Sequence, residues 1–230
     1  MNDLSLMIFA AGFGTRMGHL TEHRPKPLVP VAGRALIEYA LDIARANEIA
    51  SVVTNAHYKH EQLTAYFAKT TIRVLVEQPD ILDTGGGCKA ALPFLKGDTL
   101  VTLNSDAVWS HPVNLEPMFE IWDPRIMDAL LLVLPQERSL GRDGRGDFSI
   151  SERGHLTRGG PFIYTGLQLI SRACVEAIEL DKFSLNLIWD RAMSNKRVYG
   201  LSYPHFWCDV GTPEGIVQAE ALLSGNRDGS

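Results

Sequence analysis

The chain has 230 residues and a hydrophobic content of 45%, enough for one large α/β domain or two small ones, and a single domain over residues 1–230 is the expectation. A net charge of −5 argues against a phosphate-backbone-binding face, which needs clustered Lys and Arg, so nucleic acid is not an expected partner. Cys88, Cys174 and Cys208 show no CxxC pairing; neither a zinc knuckle nor a disulfide framework fits, and all three read as small buried residues in a reducing cytoplasm.

In chain order, "LSLMIF" (4–9) predicts a first strand. "ALIEYALDIARAN" places Leu36, Ile37, Ala40, Leu41 and Ala44 on one face and predicts an amphipathic helix. "IASVVTN" (49–55), "KHEQLTAYFAK" and "TIRVLVE" (71–77) predict strand, helix and strand. "TGGGCKAALPFL" reads as a glycine turn running into a helix, and "DTLVTLNSD" (98–106) as a buried strand with a polar end. Such alternation is that of βαβ units in a doubly wound, mostly parallel sheet flanked by helices, a Rossmann-like α/β fold.

The order then loosens. "MDALLLVLP" and "GPFIYTGLQLIS" predict longer strands, separated by a glycine-rich, charged stretch suited to a hairpin or flap. "FSLNLIWDRAMSN" has helical period, "RVYGLSY" reads as a strand, and "TPEGIVQAEALL" as a closing helix with Thr212 as N-cap and Pro213 at its first position. The polar tail 224–230 is expected to fray. No apolar run reaches membrane-spanning length, and the N-terminus lacks the basic start and long apolar stretch of a signal peptide, so no membrane partner is expected.

Ligands in doubly wound sheets sit beyond the carboxyl ends of the strands. Gly12 and Gly14 follow the first strand in "AAGFGTRMG". Amides of such a loop can converge on phosphate oxygens, although a plain turn uses glycines in the same way. A dinucleotide fingerprint would need a third glycine at position 17, where Met17 stands, and this disfavours a nicotinamide-dependent dehydrogenase. Arg16 and Lys26 flank a segment stiffened by Pro25, Pro27 and Pro30, and two cations beside a glycine loop suit a triphosphate. Asp106 ends a buried strand and Asp209 follows a short aromatic run. Carboxylates at neighbouring strand ends suit Mg²⁺, whereas singly each could simply cap a turn. His57 and His60 lack a third ligand and read as ordinary turn or surface residues. Asn104 and Asn55 end strands on the expected ligand side.

Together "AAGFGTRM", "RPKPLVPVAG", "LDTGGG", "NSD" and "DVGTPE" resemble the sugar-1-phosphate nucleotidylyltransferases, in that family's motif order from about Leu6 to Leu223. Among the short forms the chain is most similar to the N-acetylmuramate-1-phosphate uridylyltransferases of peptidoglycan recycling and to mannose-1-phosphate guanylyltransferase-like proteins. The resemblance implies the nucleotide-diphospho-sugar transferase fold, NTP and sugar 1-phosphate substrates, Mg²⁺ and a cytoplasmic monomer or homodimer. It also implies a nucleotide-binding half to about residue 110 and a sugar-binding half over 111–223.

By position, the resemblance assigns Ala11, Gly12, Gly14 and Thr15 to the triphosphate and base. Arg16 would meet the β- and γ-phosphates and Lys26 the α-phosphate. Gln78 and Gly85 would lie by the base or ribose, Asp106 and Asp209 on Mg²⁺, and Asp147, Thr165 and Gly166 on the sugar side. Arg16, Lys26 and Asp106 would be the catalytic set. Catalysis would be alignment plus charge neutralisation, with no covalent enzyme intermediate. Family members commonly carry Pro-Leu-Thr after the arginine. Here Gly18, His19, Leu20 and Thr21 stand, which predicts a freer loop and keeps open a catalytically silent nucleotide-sugar sensor. No left-handed β-helix repeat follows the last helix in this sequence, so no acyltransferase-type second domain is expected.

Overall fold

The computed structural model describes residues 4–142 and 144–225; positions 226–230 of the expected polar tail lie outside them. Strand β1 (Ser5–Phe9) divides its side chains between two cores, with Leu6 and Ile8 in one and Met7 in the other. This two-sided burial is why the strand reads as a continuous apolar run rather than an alternation. A 3-10 segment over Thr15–Thr21 and a small hairpin of β2 (Pro30–Val31) and β3 (Arg34–Ala35) lead into α1 (Ile37–Ala46). α1 buries Ile37, Ala40, Leu41 and Ala44, the face set by its period. β4 (Ser51–Ala56), α2 (His60–Phe67), β5 (Arg73–Val76), α3 (Asp83–Ala91) and β6 (Thr99–Asn104) complete the alternating part.

Then come β7 (Ala107–Trp109), α4 (Glu116–Ile121), β8 (Ala129–Pro135), β9 (Ser139–Leu140) and the hairpin of β10 (Phe148–Ile150) and β11 (Leu156–Arg158). β12 (Phe162–Ser171), α5 (Arg172–Glu176), α6 (Asn186–Ser194), β13 (Val198–Ser202), β14 (Trp207–Asp209) and α7 (Pro213–Leu223) close the chain. As its sequence predicts, α7 is capped by the Thr212 hydroxyl, which accepts the Gly215 N–H. α4 and α5, of six and five residues, are absent from the predicted elements because so short a helix shows no 3.6-residue period.

In the main sheet β1 is parallel to both β4 and β6, and β4 to β5. β12 runs antiparallel to β6 and β8, and β8 is parallel to β13, so the sheet is mixed. Because β1 lies between β4 and β6, the strand order reverses there and opens a crevice at the carboxyl ends. A second, three-stranded sheet sets β14 antiparallel to β7 and parallel to β9, pairing Asp209 with Ala107.

One expectation is corrected. Gly85, Gly86 and Gly87 do not form a turn before a helix but lie inside α3. They are packing glycines: a Cβ at Gly85 would sit 2.3 Å from the Phe183 ring, and one at Gly86 2.2 Å from the Asp181 carbonyl oxygen. Segment 181–183 thereby rests directly on the helix, and the Gly85 and Gly86 amides both donate to the Phe183 carbonyl. All three cysteines are free thiols, and burial pushes their pKa up. No helix among the described residues is long and apolar enough to cross a membrane.

Candidate active site

The crevice beyond β1 and β6 holds a cavity of about 330 Å³. Ala11, Gly12, Gly14, Thr15, Arg16, Lys26 and Asp106 line it together, although Asp106 is eighty residues beyond Lys26. Asn104, Thr84 and Gly211 are also part of the wall, as are Asn55, Ile81 and Asp83. Gly12 leaves open space where a Cβ would stand, whereas Gly14 has φ +67° and a Cβ there would lie 2.9 Å from Lys26 Cβ. The first glycine therefore keeps the cavity open and the second lets the loop pass Lys26.

The loop itself is less free than the missing Pro-Leu-Thr predicts. Gly18 takes φ 55°, ψ −130°, a conformation closed to proline and costly for other residues. Yet the Thr21 hydroxyl makes 3.1 Å contacts with both the Gly14 and Gly18 carbonyls, and Tyr58 OH donates to the Thr21 carbonyl at 3.0 Å. Glycine at 18 gives a different turn, held in place by side chains.

Lys26 Nζ pairs with Asp106 Oδ2 at 2.8 Å, and both side chains are largely buried. Asp209 does not line the cavity but stands beside Asp106, where the Val210 N–H donates to the Asp106 carbonyl at 2.8 Å. Burial first, and then the Asp106 charge, push the Asp209 carboxyl up to about 6, against the pull of Lys26, Arg16 and Arg142. Arg16 is seated against Gly211, where a Cβ would come 2.8 Å from Nη2. The glycine of "DVGTPE" thus makes room for the arginine of "GFGTRM".

Two adjacent carboxylates, of which Asp209 is held back from ionising, are a donor set suited to a divalent cation. Among the described residues no group of three or more His, Cys, Asp or Glu could hold a metal. A hard ion that keeps waters and takes substrate phosphates, such as Mg²⁺, is the kind that two carboxylates fit.

A second cleft of about 280 Å³ shares Asp83, Thr84 and Asn104 with the first and adds Arg142, Asp147, Arg158, Tyr164 and Trp189. Asp147 accepts from Arg142 Nη1 at 3.0 Å and from the Tyr164 N–H at 2.9 Å. Arg158 lies over the rings of Phe148 and Trp189 and donates to Asp190 and Asn186. Among the expected sugar-side residues, Asp147 faces this cleft. Thr165 is buried with its hydroxyl on the Leu132 carbonyl at 2.8 Å. Gly166, at φ +89°, leaves space for Asn104, from which a Cβ would be 2.8 Å away.

Gln78 lies outside both clefts, its amide 2.9 Å from His60 Nε2. Gly85 is buried under Phe183, and its neighbour Thr84 faces the cavity instead. His57 contacts the Glu77 carbonyl through Nδ1 at 2.8 Å. Sequence reasoning does not single out Arg142, Arg158, Tyr164, Thr84 or Gly211. Gly211 and Thr84 leave a signal there, the first as the glycine of "DVGTPE" and the second as the threonine of "LDTGGG".

Residues 6–183 match the model of the MobA-like NTP transferase domain. The chain belongs to this family. This NTP transferase is 34% identical over 237 residues to an N-acetylmuramate alpha-1-phosphate uridylyltransferase of Caulobacter vibrioides, covering 95% of this chain and 96% of the relative. It is 25% identical to a D-glycero-alpha-D-manno-heptose 1-phosphate guanylyltransferase of Aneurinibacillus thermoaerophilus, across 96% and 98% of the two chains. The crystal structure of HddC from Yersinia pseudotuberculosis complexed with GMP-PN matches the transferase in fold, with a TM-score of 0.77 at 19% identity over 94% of this chain and 98% of that one. The resemblance to the sugar-1-phosphate nucleotidylyltransferases holds along the chain, and with it the expectation of a nucleotidyltransferase enzyme of this fold. Nothing in these likenesses favours the nicotinamide reading.

Proposed function

We propose that the protein joins a sugar 1-phosphate to an NTP, with N-acetylmuramate 1-phosphate and UTP as its substrates in peptidoglycan recycling in the cytoplasm. The observation that carries this reading is the gathering of a glycine loop, Arg16, Lys26 and Asp106 around one cavity that adjoins a polar second cleft. The uridylyltransferase relative supports the choice of substrates.

In the proposed reaction an oxygen of the sugar phosphate attacks the α-phosphorus. The bond to the β-phosphate breaks, and pyrophosphate leaves with the electron pair. Loop amides and Arg16 hold the β- and γ-phosphates, and Lys26 neutralises the α-phosphate as charge develops. To do so Lys26 must leave Asp106, so phosphate binding and release of that carboxylate go together. Asp106 and Asp209 would hold Mg²⁺, which when bound supplies positive charge to the phosphates. The second cleft would take the sugar, with Asp147 facing it; Thr165 and Gly166 would shape that side from behind, and Gln78 and Gly85 the nucleoside side. A monomer or homodimer is compatible with a site built from one chain.

Pyrophosphate release should be measured for UTP, GTP, CTP and dTTP against N-acetylmuramate, mannose and N-acetylglucosamine 1-phosphates, with Mg²⁺. UTP with N-acetylmuramate 1-phosphate is expected to turn over fastest. A clear preference for GTP would favour the guanylyltransferase alternative, which the heptose-phosphate relative supports. Binding without release would make the protein a silent sensor. Asp106→Asn and Asp209→Asn should each lower turnover by at least 100-fold in folded protein, and near-normal release by either would exclude the two-carboxylate metal site.

A further inference from the structure

Glu77 follows β5 and is 4% exposed, yet none of the ion pairs among the described residues includes it. A buried carboxylate without a cation is costly unless hydrogen bonds replace its water. Both oxygens have such bonds, and they lead to two segments that line the nucleotide cavity. Oε1 accepts from Asn55 Nδ2 at 2.7 Å, and Asn55 Oδ1 accepts the Ala10 N–H at 2.7 Å. Oε2 accepts the Leu82 N–H at 2.7 Å. Ala10 opens the phosphate loop, while Ile81, Asp83 and Thr84 around Leu82 line the same cavity.

The backbone needs this arrangement. The paired register of β1 with β4 ends at Ile8 and Thr54, so the Ala10 N–H lies beyond the ladder and takes a side-chain acceptor instead. The room is made by Gly87 of α3, where a Cβ would lie 2.7 Å from Asn55 Nδ2 and 2.8 Å from Glu77 Oε1. Three segments distant in sequence thus meet at one carboxylate.

We propose that Glu77, acting through Asn55, is a positioning residue that sets the distance between the phosphate loop and the 81–84 segment and thereby governs NTP affinity. It touches no reacting atom. The inference rests on reading the cavity as the NTP site, and is independent of which base or sugar is used.

The decisive test exchanges acid and amide. Glu77→Gln presents only one acceptor to two donors, and Asn55→Asp sets two carboxylates against each other. The double variant restores every donor–acceptor match. Its amide at position 77 can donate to the carboxylate at position 55 and accept the Leu82 N–H, while that carboxylate still accepts the Ala10 N–H. Glu77→Gln, at a position that does not line the cavity, is expected to raise KM for the NTP at least tenfold with kcat and the sugar-phosphate KM within threefold, whereas Asn55 lines the cavity and Asn55→Asp is read by exchange. In the ligand-free protein, amide hydrogen exchange at Ala10 and Leu82 should quicken at least tenfold. The double variant should return exchange to within about threefold of wild type and bring KM below that of Asn55→Asp. Folded single variants with unchanged KM and exchange, or a double variant no better than the worse single one, would overturn the proposal. If the single variants do not fold, the double variant decides alone: wild-type exchange supports the relay, and misfolding or quickened exchange overturns it. Wild-type protein that binds no NTP would instead refute the nucleotide reading, and exchange would still judge the relay.

Discussion

At Asp209, burial and the neighbouring Asp106 both oppose the charge that the proposed Mg²⁺ site would need. The folded protein holds this proton more tightly than the unfolded chain. Stability therefore falls as pH rises from about 4 to about 6, and the whole penalty is present above that. A shift of about two units corresponds to at most ~3 kcal/mol. Asp209→Asn should accordingly be more stable than wild type by about 1–3 kcal/mol at pH 8 without divalent cations, with the gain shrinking as pH falls toward 4.5. Urea unfolding at the two pH values checks this, and a gain independent of pH would show that burial does not hold the proton.

Gly12 and Gly14 separate two uses of the same residue type. Gly12→Ala meets nothing in the ligand-free protein, so stability should stay within about 0.5 kcal/mol while KM for the NTP rises at least tenfold. Gly14→Ala combines positive φ with the Lys26 contact, and should cost about 1–3 kcal/mol before any ligand is added. Thermal unfolding with and without UTP distinguishes the two.

At the scale of elements, α3 departs most from its local sequence preference. Three consecutive glycines weaken a helix by about 1 kcal/mol each relative to alanine, so propensity alone argues for Gly86→Ala as a stabilising change. Packing argues the opposite, because the added Cβ would sit 2.2 Å from the Asp181 carbonyl oxygen, a backbone atom that cannot swing aside. The clash should win, with a net loss of about 2 kcal/mol or more. A midpoint equal to or above wild type in chemical unfolding would show that the 181–183 segment gives way. The glycine loop after β1 shows the same competition: Gly18 removes proline's stiffness, and Thr21 and Tyr58 supply bonds that hold the turn.

Across the whole molecule, β12 decides how the halves behave. It pairs with β6 of the N-terminal half and β8 of the C-terminal half, so one sheet runs through both. All four tryptophans, from Trp109 to Trp207, lie at or beyond β7, so their fluorescence reports the chain from the end of β7 onward, while far-UV circular dichroism reports the whole chain. The two probes should trace one coincident urea transition, and separated midpoints would show halves that fold independently.

The sequence by itself determined the alternating strands and helices, the capped last helix, the glycine loop and the identity of the charged groups. Those signals are local, carried by period, caps and turn chemistry within a few residues. Only the tertiary structure decided that Asp209 stands beside Asp106, that Arg16 rests on Gly211, that Thr84 rather than Gly85 faces the cavity, and that Arg142 and Arg158 enter the second cleft. These depend on strand order and on contacts between residues from tens to nearly two hundred positions apart. The triple glycine misled for the same reason: its conformation is set by the segment packed against it, which a local pattern does not encode.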